Sequence, residues 1–186
     1  MVILRHIVLV LFIVSINNTL YSQSFVGGLQ GGCSASQIDN DAYLGYKKWG
    51  ITAGMFVGHK LYKKINAQYE LRFNQKGASE PAAYYRKRLD YIEMPISANY
   101  VWKKHLFLEG GYIFGFLLRE KNLFMLDEDF AKFDLPFFFG IGYKTNKKIL
   151  LNMRYTRSLF PIAGSATSKA YWNDSVNFVV YYSLIP

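Results

Sequence analysis

The sequence predicts an all-β protein, an eight-stranded antiparallel up-and-down transmembrane β-barrel preceded by a cleaved signal peptide. Residues 65–74 (INAQYELRFN) alternate apolar and polar side chains without a break. This period of two is typical of a β-strand with one apolar and one polar face. Ten residues is also about the length that a tilted strand needs to cross the hydrocarbon layer of a membrane.

The start of the chain indicates export. Residues 1–5 supply a short basic end, residues 7–16 are apolar apart from Ser15, and the small residue Ser22 precedes Gln23. This arrangement predicts a secretory signal that is cleaved after Ser22. Residues 1–22 are then the signal peptide and residues 23–186 form one barrel domain. The single cysteine, Cys33, leaves the mature chain without an internal disulfide.

Eight segments of the mature chain follow the strand pattern. They are approximately 24–33, 48–60, 65–74, 89–101, 105–118, 133–143, 148–158 and 175–184. Short lysine-rich connections alternate strictly with long ones, which are 34–47, 75–88, 119–132 and 159–174. Outer-membrane barrels have this asymmetry, with short turns in the periplasm and longer loops outside. The pattern therefore predicts the outer membrane of a Gram-negative bacterium as the location.

A soluble periplasmic barrel that binds an apolar ligand is the alternative with the same strand pattern. The third, fourth and seventh predicted strands distinguish the two, because their polar faces carry mostly amide, hydroxyl and small side chains. Their opposite faces are aliphatic and aromatic. Since the first set suits a narrow polar lumen and the second suits lipid, the membrane barrel is favoured.

The interior of an eight-stranded barrel is just wide enough for its own side chains, so an open diffusion pore is not expected. The inward positions carry several charges that must be paired when they are buried. We predict that they form a polar network that plugs the lumen. Its members are Glu70, Arg72, Glu93, Glu109 and Arg154. A symmetric second loop would place Glu70 opposite Glu93.

Two of the long loops have compositions that suit binding, and loops on a rigid scaffold often carry recognition. The second loop ends on a basic aromatic cluster that suits phosphates or anionic sugars of lipopolysaccharide, although solvated charge beside the membrane explains it equally simply. This cluster is Tyr84, Tyr85, Arg86, Lys87 and Arg88. The third loop places an apolar run beside acids, which suits a protein partner or a segment folded over the barrel mouth. Its residues are Leu123, Phe124, Met125, Asp127, Glu128 and Asp129.

The sequence predicts neither catalysis nor a cofactor or metal site. Barrels that modify lipid A use a Ser/His pair near the outer leaflet, whereas His59 and His105 both lie beside short turns. No phosphate-binding loop or zinc motif occurs, and Cys33 has no neighbouring ligand. The net charge of +9 resides largely in lysine-rich turns, and an exported chain is not expected to meet nucleic acid. The expected partners are outer-membrane lipid, lipopolysaccharide and proteins.

Two segments carry a resemblance to a known family. Residues 69–78 (YELRFNQKGA) and 89–96 (LDYIEMPI) resemble the paired signatures of the PorT-like outer-membrane β-barrel proteins. The glycine-containing runs 26–32, 50–56 and 140–143 are also similar to that family. The resemblance implies an outer-membrane barrel, and a few relatives serve in protein secretion. Two function hypotheses follow: a structural or recognition barrel that acts through its loops, and an accessory component of a secretion system.

Overall fold

Antiparallel β-strands make up nearly all of the described part of the chain. The computed structural model describes residues 25–40, 45–80, 85–122, 130–164 and 170–185. The strands are β1 (Phe25–Asp39), β2 (Lys48–Tyr62), β3 (Ile65–Glu80), β4 (Tyr85–Val101), β5 (Leu106–Asn122), β6 (Phe133–Asp134), β7 (Pro136–Lys144), β8 (Ile149–Ser158) and β9 (Trp172–Ile185). None of the described residues forms a helix long and apolar enough to cross a membrane. The predicted signal peptide lies outside these residues.

The strands close into a ring with eight positions. Consecutive strands pair with each other, except that β6 and β7 both pair with β5, and β1 pairs with β9 to complete the ring. β6 and β7 occupy one position of the ring because they pair with β5 in the same register, with Gly115 opposite Asp134 and Tyr112 opposite Phe137. Leu135 separates them, and it precedes Pro136, whose nitrogen has no hydrogen to donate. The predicted eight-stranded up-and-down barrel is confirmed.

Alternate side chains along the strands point outward and inward, and the outward face is apolar. Representative outward residues expose between 43% and 55% of their surface: Leu29, Met55, Leu71, Ile96 and Met153. Inward positions carry most of the buried polar and charged residues. A soluble barrel has the opposite arrangement, so the soluble alternative is wrong. We take the end with the short turns as periplasmic and the other end as extracellular.

The strands extend further at the extracellular end than the alternation predicted. β3 continues to Glu80 and β4 begins at Tyr85, so the second connection consists of residues 81–84 only and is not a long loop. The register also differs from the predicted one, because Glu93 lies opposite Arg72 rather than opposite Glu70. The reason is that this connection is centred one residue nearer the C-terminus than a symmetric 75–88 loop, which shifts the partner of each residue by two. A carboxylate therefore faces a guanidinium.

β3 changes neighbours above the middle of the barrel. Its pairing with β2 ends at Asn74, and the following residues approach β1 instead. Ser34 Oγ donates a hydrogen bond to the carbonyl of Gln75 at 2.7 Å, and Ser36 Oγ donates to that of Gly77 at 3.0 Å. Gly77 has a φ of 135°, a conformation that favours glycine, and this residue allows β3 to remain paired with β4.

Replacing Gly77 with Ala is expected to lower the free energy of unfolding by about 1–3 kcal/mol, because the residue has a strained φ. An added Cβ would also lie 2.1 Å from the carbonyl oxygen of Lys87. The matched control is Gly31→Ala, whose Cβ meets nothing nearer than 4.0 Å. Urea unfolding of both variants in lipid vesicles measures the difference. Equal stability of the two variants would contradict this account of β3.

Candidate functional site

Six ionised side chains fill the middle of the lumen and form what we call the central ion network. Its three cations are Arg72, Lys76 and Arg154, and its three anions are Glu70, Glu93 and Glu109. All six are less than 10% exposed. Because the charges balance and each group contacts an opposite one, the network satisfies the requirement that buried charge be paired.

Glu93 is the carboxylate that joins the network in its half nearer the extracellular end. Arg72 Nη2 lies 2.8 Å from Glu93 Oε2, and Lys76 Nζ lies 2.6 Å from Glu93 Oε1. Asn74 Nδ2 donates a further hydrogen bond to Glu93 Oε2 at 3.1 Å. β3 therefore supplies three consecutive inward side chains that hold one carboxylate of β4.

Arg154 on β8 is the cation that joins the network in its half nearer the periplasmic end. Its Nε donates to Glu109 Oε1 at 2.6 Å and its Nη2 donates to Glu70 Oε1 at 2.9 Å. The guanidinium carbon also lies 4.1 Å from the centre of the Phe138 ring. Tyr181 Oη accepts a hydrogen bond from Arg154 at 3.1 Å and donates one to Glu70 at 3.0 Å. These contacts connect β3, β5, β8 and β9 across the barrel.

An apolar cluster closes the lumen above the network, and we call it the extracellular cap. Its buried members are Ile38, Ala78, Leu89, Tyr91, Phe130, Ile162 and Ala163. Phe130 and Ile162 belong to the third and fourth connections, which are joined where Ala131 N donates to the carbonyl of Ile162 at 2.7 Å. Between the cap and the network, Asn173 Nδ2 donates to Tyr91 Oη at 3.2 Å. The described residues of these two connections therefore fold into the barrel mouth.

All five residues predicted for the lumen lie inside the barrel and belong to the central ion network. Sequence reasoning missed Lys76 and Tyr181. Lys76 continues the alternation of Arg72 and Asn74 by one more step, so a longer β3 would have included it. Tyr181 gives no such signal, because an aromatic residue on a strand suits the lipid face as well as the interior.

The predicted lipopolysaccharide cluster lies mainly on β4 rather than in a loop. Tyr84 is outside the described residues, and only the backbone of Tyr85 is described. Lys87 is 3% exposed, with its Nζ 4.0 Å from the centre of the Phe130 ring, so it belongs to the interior. Its expected position beside Arg86 and Arg88 on the outer surface is wrong, because successive strand residues point to opposite faces.

Arg86 and Arg88 share the outward face with two cations of β5, and together these four form what we call the arginine patch. Arg88 lies opposite Lys121, and Asp90 lies opposite Arg119. Asp90 is buried beneath the patch, where its carboxylate is 2.8 Å from Arg88 Nε and 3.4 Å from Arg119 Nε. The guanidinium groups remain partly exposed, with side-chain exposures of 35% for Arg88 and 57% for Arg119.

The third-loop residues and the two histidines complete the set of positions considered in the sequence. The third-loop residues Leu123, Phe124, Met125, Asp127, Glu128 and Asp129 lie outside the described residues. His59 stacks on the ring of Tyr69, with centroids 5.9 Å apart, near the periplasmic end of β2. His105 lies in the turn between β4 and β5. The described residues contain no group of three or more His, Cys, Asp or Glu side chains placed to hold a metal ion.

The chain belongs to the family of proteins with an outer membrane protein beta-barrel domain, whose model matches residues 21–164. It is therefore a protein of the Gram-negative outer membrane, as predicted. No curated protein sequence matches it.

Two solved structures share the fold at low sequence identity. Ail, the attachment invasion locus protein of Yersinia pestis, was crystallised with the heparin analogue sucrose octasulfate. It is 12% identical, with a TM-score of 0.55 over 87% of this chain and 99% of that one. Neisserial surface protein A is 11% identical, with a TM-score of 0.58 over 87% of this chain and 97% of that one.

Replacing Arg154 with Met is expected to lower the free energy of unfolding by about 3–5 kcal/mol, because Glu70 and Glu109 lose their shared cation. The matched control is Arg157→Met on the same strand. Arg157 is 38% exposed at its side chain and pairs at 2.9 Å with the exposed Asp39 and with the buried Asp174, so its loss is expected to cost about 1–3 kcal/mol, less than the loss of the fully buried Arg154. Urea titrations in vesicles compare the two. Similar decreases in the free energy of unfolding for the two variants would show that the central ion network does not contribute more to stability than the pairs of Arg157.

Proposed function

We propose that this protein is a closed outer-membrane barrel that acts by binding, not by catalysis or transport, and that its arginine patch recognises phosphate groups of lipopolysaccharide. The observation that carries this proposal is the arrangement of Arg88 and Arg119 on one buried carboxylate, Asp90. Buried Asp90 holds both guanidinium groups on the outward face at the extracellular end. That position corresponds to the head-group level of the outer leaflet.

The chemistry of the patch suits phosphate better than a neutral ligand. The patch holds four cations, and the carboxylate that pairs with two of them, Asp90, balances only one charge, which leaves the patch with an excess of three positive charges. Arginine presents several N–H donors in a planar fork that matches phosphate oxygens. Because Asp90 already orients two of the side chains, binding costs less conformational entropy than it would for free arginines. A sulfated sugar analogue bound to Ail, a barrel of the same fold, is consistent with recognition of polyanionic sugars by such proteins.

Transport through the lumen is opposed by the interior itself. The extracellular cap fills the mouth with apolar side chains, and the central ion network bridges opposite walls below it. A diffusing solute would have to separate ion pairs whose members are all buried. The cost of exposing such groups unpaired is several kcal/mol each, which makes a steadily open path unfavourable.

Planar lipid-bilayer recording is expected to show no steady current of porin size for the purified protein. The physical reason is that the cap and the ion network leave no continuous water path through the barrel. A variant that lacks two of the bridging side chains, Arg72→Ala with Arg154→Ala, is expected to show transient openings if it folds. Steady porin-like conductance of the unmodified protein would rule out the closed lumen.

The PorT-like resemblance supports a second candidate, an accessory role in protein secretion. The two signature segments lie on the paired strands β3 and β4. Their charged residues Glu70, Arg72, Lys76 and Glu93 belong to the central ion network, and Asp90 lies beneath the arginine patch. Most of the signature charges therefore support the scaffold. Crosslinking in intact cells followed by mass spectrometry tests this candidate, since components of a secretion system would be recovered as neighbours.

Removing the guanidinium groups with Arg86→Ala, Arg88→Ala and Arg119→Ala is expected to weaken lipopolysaccharide binding at least tenfold. A hydrogen bond to a charged group contributes about 1.5–3 kcal/mol, so even one lost contact gives this effect. The measurement is the dissociation constant for lipopolysaccharide of the barrel held in zwitterionic nanodiscs. A second titration uses lipopolysaccharide whose phosphates have been removed, which is expected to bind the unmodified protein weakly.

The matched control replaces three lysines at the periplasmic end, Lys63, Lys64 and Lys147, with Ala. It removes the same charge from turns that lie far from the patch. Equal weakening by the two triple variants, or equal binding of the two forms of lipopolysaccharide, would refute the assignment of the patch.

A further inference from the structure

A cavity of about 430 Å³ opens at the periplasmic end of the barrel, opposite to the proposed lipopolysaccharide site. Its upper limit is the central ion network, because Tyr181 and Gln68 line the cavity and both hydrogen-bond to Glu70. Its apolar wall includes Val26, Phe56, Phe107 and Leu150. The volume falls within the range of roughly 300–1,000 Å³ that is common for ligand pockets.

The mouth of this cavity is strongly basic. Six lysines line it. Lys60 and Lys144 lie at the periplasmic ends of β2 and β7, at positions where the side chain points into the barrel, and the other four belong to two turns. The lysines that line the cavity are Lys60, Lys103, Lys104, Lys144, Lys147 and Lys148. No Asp or Glu lines it, and among the described residues none of the six forms an ion pair. Unneutralised charge of one sign around a cleft attracts anionic ligands.

The wall between the lysines and the central ion network also carries neutral polar side chains. Asn66, Gln68, Asn99 and Ser183 line the cavity together with the apolar residues. Amide and hydroxyl groups can both donate and accept hydrogen bonds, so these side chains suit the backbone groups of a peptide.

We propose that the cavity receives an extended acidic segment of a periplasmic polypeptide. Such a segment meets all three features: carboxylates spaced along a chain reach lysines on different sides of the mouth, apolar side chains contact the apolar wall, and backbone groups hydrogen-bond to the amide and hydroxyl side chains. Free phosphate lacks the apolar part. An ionised fatty acid carries a single carboxylate, which cannot reach lysines on different sides of the mouth. The proposal concerns the opposite end of the barrel from the arginine patch and does not depend on that site.

The test uses the full mature chain in nanodiscs of zwitterionic lipid and a fluorescein-labelled peptide with a Leu-Phe tip followed by four glutamates. A peptide with four glutamines in their place is the matched probe. Fluorescence anisotropy is expected to show at least tenfold tighter binding of the glutamate peptide. Raising the salt from about 50 mM to about 500 mM is expected to reduce that preference, because screening weakens exposed charge interactions. Equal binding of the two peptides would overturn the proposal.

Two pairs of lysine substitutions distinguish binding at the cavity mouth from a general attraction by positive charge. Lys60→Gln with Lys144→Gln is expected to weaken binding of the glutamate peptide about tenfold, since each exposed contact is worth up to about 1 kcal/mol. Lys63→Gln with Lys64→Gln removes the same charge from a turn that does not line the cavity, and less than a twofold change is expected. An equal effect of the two pairs would overturn the proposal.

A substitution that fills the cavity tests whether the peptide inserts into it. Leu150→Trp places a larger side chain in the wall and is expected to abolish binding while the lysines remain. Val26→Phe enlarges a side chain at another point of the wall and is expected to weaken binding severalfold if Leu150→Trp does not fold. Unchanged binding in a folded Leu150→Trp variant, or in Val26→Phe, would show that the peptide does not enter the cavity.

Discussion

Pairing between β1 and β9 is the constraint on which the rest of the structure depends. In hydrocarbon there is no water to hydrogen-bond a free strand edge, so a sheet can cross a membrane only as a closed ring. Closure gives each strand one face toward lipid and one toward a narrow interior. With eight positions in the ring, the interior holds side chains and little else, so its polar groups must satisfy one another.

The central ion network is the chemical consequence of that confinement. Three cations and three anions balance, and Arg154 in particular joins carboxylates from two separate strands to Tyr181 on a third. Buried ion pairs do not necessarily stabilise a protein more than apolar packing would. They do select one register, because a shift of β3 against β4 would separate Glu93 from Arg72 and Lys76.

A closed interior leaves the two ends of the barrel as the places where soluble or head-group ligands can bind. Both ends are basic, but they are built differently. At the extracellular end, a buried carboxylate orients arginines on the outer wall, which suits phosphates of the surrounding leaflet. At the periplasmic end, lysines without acidic partners surround an apolar cavity, which suits a chain that carries both charge and side chains. The two segments that resemble the PorT-like signatures lie on β3 and β4 and contribute mainly to the central ion network between these ends.

The sequence by itself determined the strands, their two faces and the membrane location, because alternation is local and each residue's face follows from its neighbours. Residues 65–74 are the clearest example, and the inward phase of Glu70 and Arg72 follows from the same pattern. Only the tertiary structure decided that Arg72 faces Glu93, that Lys76 completes the network and that Lys87 lies under Phe130. Those contacts depend on the register between β3 and β4 and on how many residues of these strands pair beyond the membrane at the extracellular end. Both are set by hydrogen bonds between segments distant in sequence, which no local pattern contains.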